Sequence, residues 1–184
     1  AAAWEEEAVS VFSVRPSRPE GRADASYHVP IAGAVLDRLA RRGAELTTVG
    51  DPRVSQQVLL PGRFKRVYVE AGYGRPFFGG KQLGELDPSG QKFLSLKKHG
   101  GRIAQELELH ENYLLITRSG TVGKTALVPR HWEGWVASED VIRVIPASAG
   151  MAGYLSLFLA SPYGQALLGR CTYGSVVSHI DDTH

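Results

Sequence analysis

Residues Asn112–Thr125, NYLLITRSGTVGKT, decide how this chain is read. Tyr113–Ile116 is an apolar run with the length and β-prone character of a buried strand. Arg118-Ser119-Gly120-Thr121-Val122-Gly123-Lys124-Thr125 follows, a tight turn with two cations and three hydroxyls. Glycines at 120 and 123 let the backbone take positive φ or approach a partner closely. With Arg118 and Lys124 on its flanks, such a turn can hold a phosphate, and three readings compete for it. Gly123-Lys124-Thr125 after a strand has the ending of a P-loop, but the position five before Gly123, where that motif needs glycine, is Arg118. Ala126-Leu127-Val128-Pro129 does not open a helix either. The second reading is a bare hairpin turn with its cations in solvent. The third is a turn that positions a polyanion through Arg118, Lys124 and the hydroxyls.

The composition bounds what surrounds this turn. A chain of 184 residues holds one domain with a core, or a domain plus an arm. Hydrophobic content of 43% and charged content of 22% are those of a soluble globular protein. A net charge of +2 does not by itself point to nucleic acid. The distribution says more: acids cluster at 5–7 and 106–111, and cations at 38–42, 63–66, 92–98 and 118–124. A basic face is compatible with a near-neutral total. Cys171 is the sole cysteine, which excludes an internal disulfide and a cysteine-based zinc site and fits a reducing, cytoplasmic setting. No run reaches the ~18 apolar residues of a membrane span, and the acidic start is unlike a secretory signal.

Along the chain, Val9–Val14 reads as an edge strand within an N-terminal arm, broken by Arg15-Pro16-Ser17-Arg18-Pro19. Ile31–Arg42 is a helix with an Ile31, Val35, Leu36, Leu39 stripe, stopped by Gly43. Its other face carries Arg38, Arg41 and Arg42, the pattern of a solvated face. Arg63–Glu70 reads as a strand with Phe64, Val67 and Val69 on one side and Lys65, Arg66 and Tyr68 on the other. A glycine-dense segment follows. Within it, Val69-Glu70-Ala71-Gly72-Tyr73-Gly74 matches the strand-acid-x-Gly-x-Gly pattern of an S-adenosylmethionine site. That site needs a helix next, and Arg75-Pro76-Phe77-Phe78-Gly79-Gly80 does not start one. Val141–Ile145 is a strand, Gly153–Ser161 a helix with Tyr154, Leu155, Phe158 and Leu159 on its apolar side, and Pro162–Arg170 a second helix. Tyr173–Val177 is a polar turn entering a strand. His179, Asp181, Asp182 and His184 lie close in sequence, but a metal site is not read from them. Ser119 has no base partner in sequence, so no catalytic residue is assigned.

The order of these segments resembles the target-recognition domain of type I restriction-modification specificity subunits. Five stretches carry the resemblance: Asp24–Pro30; Arg63–Val69 with Tyr73–Gly80; Leu115–Gly123; Ala137–Val144; and Gly153–Gly164 with Tyr173–Val177. The resemblance implies a mixed α/β (α+β) domain, with a twisted mixed sheet flanked by short helices and without the spacer helix. It implies an arm over 1–23 and a DNA target-recognition domain over 24–184. The function implied is sequence-specific binding of one half of a split site in double-stranded DNA, with no cofactor. Catalysis belongs to partners, an adenine methyltransferase subunit and a restriction (nuclease and translocase) subunit. A single domain of this length is a fragment or a half-subunit, the latter a candidate homodimer.

Reading a duplex takes cations for phosphates and polar side chains for base edges. The candidates are Lys65, Arg66 and Tyr68 on the strand, Arg75, Lys81 and Gln82 on the glycine segment, and Arg118, Ser119, Thr121 and Lys124 on the turn. The rivals are an enzyme, either a methyltransferase or a nucleotide hydrolase, and a protein-interaction module using exposed Phe77-Phe78 and Trp132–Trp135 patches.

Overall fold

The computed structural model describes residues 25–172 and 179–180. Among these residues, eight strands form two four-stranded sheets. In the first, β1 (Ser55–Leu59), β8 (Val141–Pro146), β5 (Leu114–Thr117) and β6 (Thr125–Leu127) lie in that order, each antiparallel to its neighbour. In the second, β2 (Tyr68–Val69), β4 (Lys92–Ser95), β3 (Gly74–Phe78) and β7 (Val136–Ala137) lie in that order; the β2–β4 and β4–β3 pairs are antiparallel and the β3–β7 pair is parallel. Helix α1 (Pro30–Arg41) precedes the strands, α2 (Leu96–Arg102) follows β4, and α3 (Ala149–Ala160) and α4 (Pro162–Arg170) follow β8. The mixed α/β architecture expected of the sequence is present, divided between two sheets.

The β5 run is apolar throughout because both its faces are covered, the pattern of a strand inside a layered core. Leu114 and Ile116 join Ile142 and Val144 of β8 beneath Leu155 and Leu159 of α3. Leu115, on the opposite face, joins Val141, Phe78, Ala137 and Trp132 between the two sheets. A third cluster packs Phe77, Leu94 and Val136 under Ile103 and Leu107. Each fully buried leucine or phenylalanine contributes about 1.5–3 kcal/mol of transfer free energy.

Arg143 is the exception in this apolar layer, with no exposed surface. Its guanidinium donates to the carbonyls of Val141 (2.8 Å), Ala137 (2.6 Å), Leu107 (3.4 Å) and Ser138 (3.5 Å). One side chain thereby ties β8 to β7 and to the segment after α2. Burial pulls its pKa down to about 10 against the pull of Glu106 and Glu139, so it remains a cation at neutral pH.

Several expectations change. Of Arg63–Glu70, only Tyr68–Val69 is strand. The residues before it turn to side chains: the Val67 amide donates to His99 Nε2 at 3.1 Å. Strand β1 had no sequence signal, since Gln56 and Gln57 interrupt its pattern and the register shifts there. Helix α3 starts four residues earlier than periodicity predicts, because Ala149, Gly150 and Ala152 carry little periodic signal; Ser148 caps it through the Met151 amide. Tyr154 lies on its solvent side, 62% exposed, not on the apolar side facing the core. Phe77, Phe78 and Trp132 are buried in the clusters above, which removes the exposed patch expected of an interaction module. The expected strand at Val9–Val14 and the Tyr173–Val177 turn lie outside the described residues, as do Asp181, Asp182 and His184.

Candidate nucleic-acid interface

The turn after β5 folds on the hydroxyl of Thr117, which is buried. That hydroxyl donates to the Thr121 carbonyl and accepts from the Lys124 amide at 2.9 Å. Backbone bonds from Thr117 to Lys124 and from Gly123 to Thr117 close the loop. Gly120 and Gly123 take φ of +74° and +81°, the left-handed region that the sequence reserves for glycine here. Thr125 then enters β6, a strand, where a P-loop requires a helix. The S-adenosylmethionine pattern fails in the same way, because Gly74 opens β3.

The rest of the protein grips this turn. The Arg118 amide donates to the Asp140 carbonyl, and the Ile180 amide donates to the Arg118 carbonyl. Ser119 Oγ donates to Asp140 Oδ1 at 3.4 Å and its backbone bridges to His179. Gln165 of α4 donates to the Gly123 carbonyl at 3.0 Å. Arg118 is half-buried, and its Nε meets no acceptor among the described residues.

The ten candidates fall into two neighbourhoods joined by the β7–β8 connection. On the second sheet, Arg66 makes a two-pronged pair with the buried Glu139 carboxylate, at 2.7 and 3.2 Å, and lies over the Phe77 ring. Burial works against its charge, but hydrogen bonds to Glu139 and Tyr68 outweigh that and raise its pKa. Arg66 also stands 3.9 Å from Asp140, which therefore sits between it and Ser119. Tyr68 meets Phe77 edge-on and lies beneath the Lys92 ammonium at 5.0 Å. Arg75 pairs with Glu108 at 3.6 Å. Lys65 is exposed, with no ionic partner among the described residues.

On the turn side, β3 runs into a 3-10 turn, Gly80–Gly84, that packs against β5 and β6. Gln82 holds this turn together, accepting from the Gly79 amide at 3.2 Å and donating to the Ser89 carbonyl at 2.7 Å. A Cβ at Gly84 would lie 3.4 Å from the Lys124 ammonium. Lys124 thus reaches across to the 3-10 turn that carries Lys81. Lys81, Thr121 and Lys124 are exposed, and neither ammonium has an ionic partner among the described residues.

Six of the ten, Arg66, Tyr68, Arg75, Gln82, Arg118 and Ser119, are therefore engaged in or wedged into the fold. The sequence reading gave no role to Glu139, Asp140, Gln165 or Arg143. The two adjacent acids, set between apolar strands and facing a basic run at 63–66, were the available signal for the first two.

No family model and no curated protein matches this sequence. Among solved structures the chain is similar to the S subunit of a type I restriction-modification system from M. genitalium, at 9% identity and a TM-score of 0.46. The alignment covers 72% of this chain and 30% of that one, so this chain spans under a third of that protein's length.

Proposed function

We propose that this chain is a duplex-DNA reader: a recognition domain over 24–184 that holds one half of a split site for a restriction-modification complex, so that a partner adenine methyltransferase and nuclease act at the right place. The observation that carries this reading is the pair of unneutralised lysines, Lys81 and Lys124, on adjoining turns beside Thr121. Two cations on a braced rim suit successive phosphates, and a hydroxyl beside them suits a phosphate or a base edge. Lys65, Tyr68 and Lys92 supply a second exposed group on the other sheet. The five sequence stretches occurring in family order support the same assignment. The rigid turn positions these groups, and Arg66, Gln82 and Ser119 act by holding loops rather than by touching DNA.

Selection of bound duplexes from a random pool at about 50 mM salt, where phosphate contacts still help, tests the reading. Enrichment of a short motif is the expected result. A pool that returns unenriched, with or without a cognate methyltransferase, would overturn it. A thermal shift with S-adenosylmethionine or ATP addresses the enzymatic rival, since a ligand of the native state raises stability.

A further inference from the structure

Helix α3 breaks the usual rule for a surface helix. Its buried side, Ala152, Leu155 and Leu159, faces the first sheet. Its outer side presents Gly150, Gly153, Tyr154 and Leu157, with Leu157 77% and Tyr154 62% exposed. From Ala147 to Ser161 there is no charged residue. An all-apolar helix is expected to be covered on every side. Here a three-turn stripe faces solvent, and large exposed apolar surface marks an interaction site.

The layout of the stripe indicates what covers it. Small residues, Gly150 and Gly153, lie toward the start and large ones, Tyr154 and Leu157, toward the end. The arrangement is symmetric about the point between 153 and 154. An antiparallel copy of the same helix therefore sets Leu157 over the partner's Gly150, and Tyr154 over the partner's Gly153. Each large side chain meets a position with no side chain. We propose that the outer face of α3 pairs with the same face of a second copy about a two-fold axis, an isologous contact. The absence of charge fits this occupant: two copies bring no like charges together and bury none unpaired. A charged partner protein would find no counter-charge on the stripe, and anionic lipid no cation. One three-turn helix face is smaller than the ~800 Å² per partner of a standard interface, so pairing is weak, in the range of about 1–100 μM.

On the reading of the chain as a DNA reader, such a dimer carries two reading surfaces related by a two-fold axis. It would favour an inverted repeat of its half-site over a single copy, through effective concentration.

Sedimentation equilibrium of the 184-residue chain without DNA, over about 1–200 μM, tests the contact itself. The expected result is a monomer–dimer equilibrium that Leu157→Glu abolishes without lowering the melting temperature at concentrations below the dissociation constant, where the wild type is a monomer too and that side chain lies in solvent. Geometry is tested by Gly150→Cys with Leu157→Cys in a Cys171→Ser background. The two sites are about 10 Å apart along one helix, too far to bridge within a chain, so oxidation yields covalent dimer. Leu157→Cys alone yields little. A wild type that stays monomeric throughout, or a dimer that survives Leu157→Glu, overturns the proposal. So does efficient cross-linking by Leu157→Cys alone, which would mean a parallel pairing. A monomer that floats with phosphatidylglycerol vesicles would assign the stripe to lipid instead. Because mass is read without duplex, failure here leaves the DNA assignment standing, and a chain that selects no motif can still dimerise.

Discussion

The seam between the two sheets and the rim of the turn that joins β5 to β6 both carry cations, and they treat them in opposite ways. At the seam, Arg143 is enclosed by four carbonyl acceptors and Arg66 is held by the buried Glu139 carboxylate. At the rim, the ammonium groups of Lys81 and Lys124 stand in solvent with no ionic partner among the described residues. A buried guanidinium is costly unless acceptors surround it; the planar fork of Arg143 reaches four carbonyls through its two terminal nitrogens, while its Nε meets no acceptor among the described residues. An exposed lysine contributes almost nothing to folding and is available to a ligand. Side chains of one charge thus divide into those the fold uses and those left at the surface, according to what surrounds them.

The largest loss is expected from Arg143→Ala. It leaves four buried carbonyls short of a donor and a cavity between the sheets, and stability should fall by about 3–5 kcal/mol in chemical denaturation. Arg143→Lys should recover only part of that, because one ammonium cannot span the same acceptors. Native stability in either variant at the wild-type level would mean that the seam does not depend on this residue. Next comes Arg66→Ala, which strands a buried carboxylate and should cost about 2–3 kcal/mol. Glu139→Gln should cost less, since Arg66 is partly exposed and can turn to water. A full loss in Arg66→Ala beside no loss in Glu139→Gln would point to packing over Phe77 instead of charge.

At the rim the expected change in stability is within about 0.5 kcal/mol for Lys81→Ala combined with Lys124→Ala. What should change is the dependence of DNA affinity on salt, with the slope falling by about 2 as two phosphate contacts vanish. An unaltered slope would remove both lysines from the interface. The smallest effect is expected at a second surface site. The His110 ring holds the Glu133 carboxyl below its ordinary pKa, helped by the Glu111 amide. A carboxyl depressed in the folded state stabilises above the ordinary glutamate range, and that contribution is lost as pH falls through the depressed value. Glu133→Gln should therefore lower the melting temperature slightly near pH 7 and leave it unchanged near pH 3. A loss of the same size at both pH values would show that charge is not involved.

How far these features could be read from sequence depends on whether their cause is local. Strands β5 and β8, helices α1 and α4, and the glycine turn declare themselves through periodicity, glycine placement and proline at the start of a helix. The ten candidate residues were also legible as residue types. Their division into engaged and free was not, because the partners lie far away in sequence: Glu139 is 73 positions from Arg66. Phe77 and Phe78 looked like an exposed pair because the β7 strand that covers them is two residues long and gives no periodic signal. Arg143 lies in the Ala137–Val144 stretch that carries the family resemblance, yet nothing local distinguishes a buried arginine from a surface one.

The clasp between the Ile180 amide and the Arg118 carbonyl also has a consequence for the order of events in biosynthesis. The hairpin from β5 to β6 is a local structure and forms as soon as its residues are available. Its three outer holds, from Asp140, Gln165 and Ile180, come from chain synthesised later, and the last of them 62 positions later. Loop-closure entropy must be met before such distant contacts are rewarded. On the ribosome the turn therefore exists early but unbraced, and it reaches its final shape only once Ile180 has emerged.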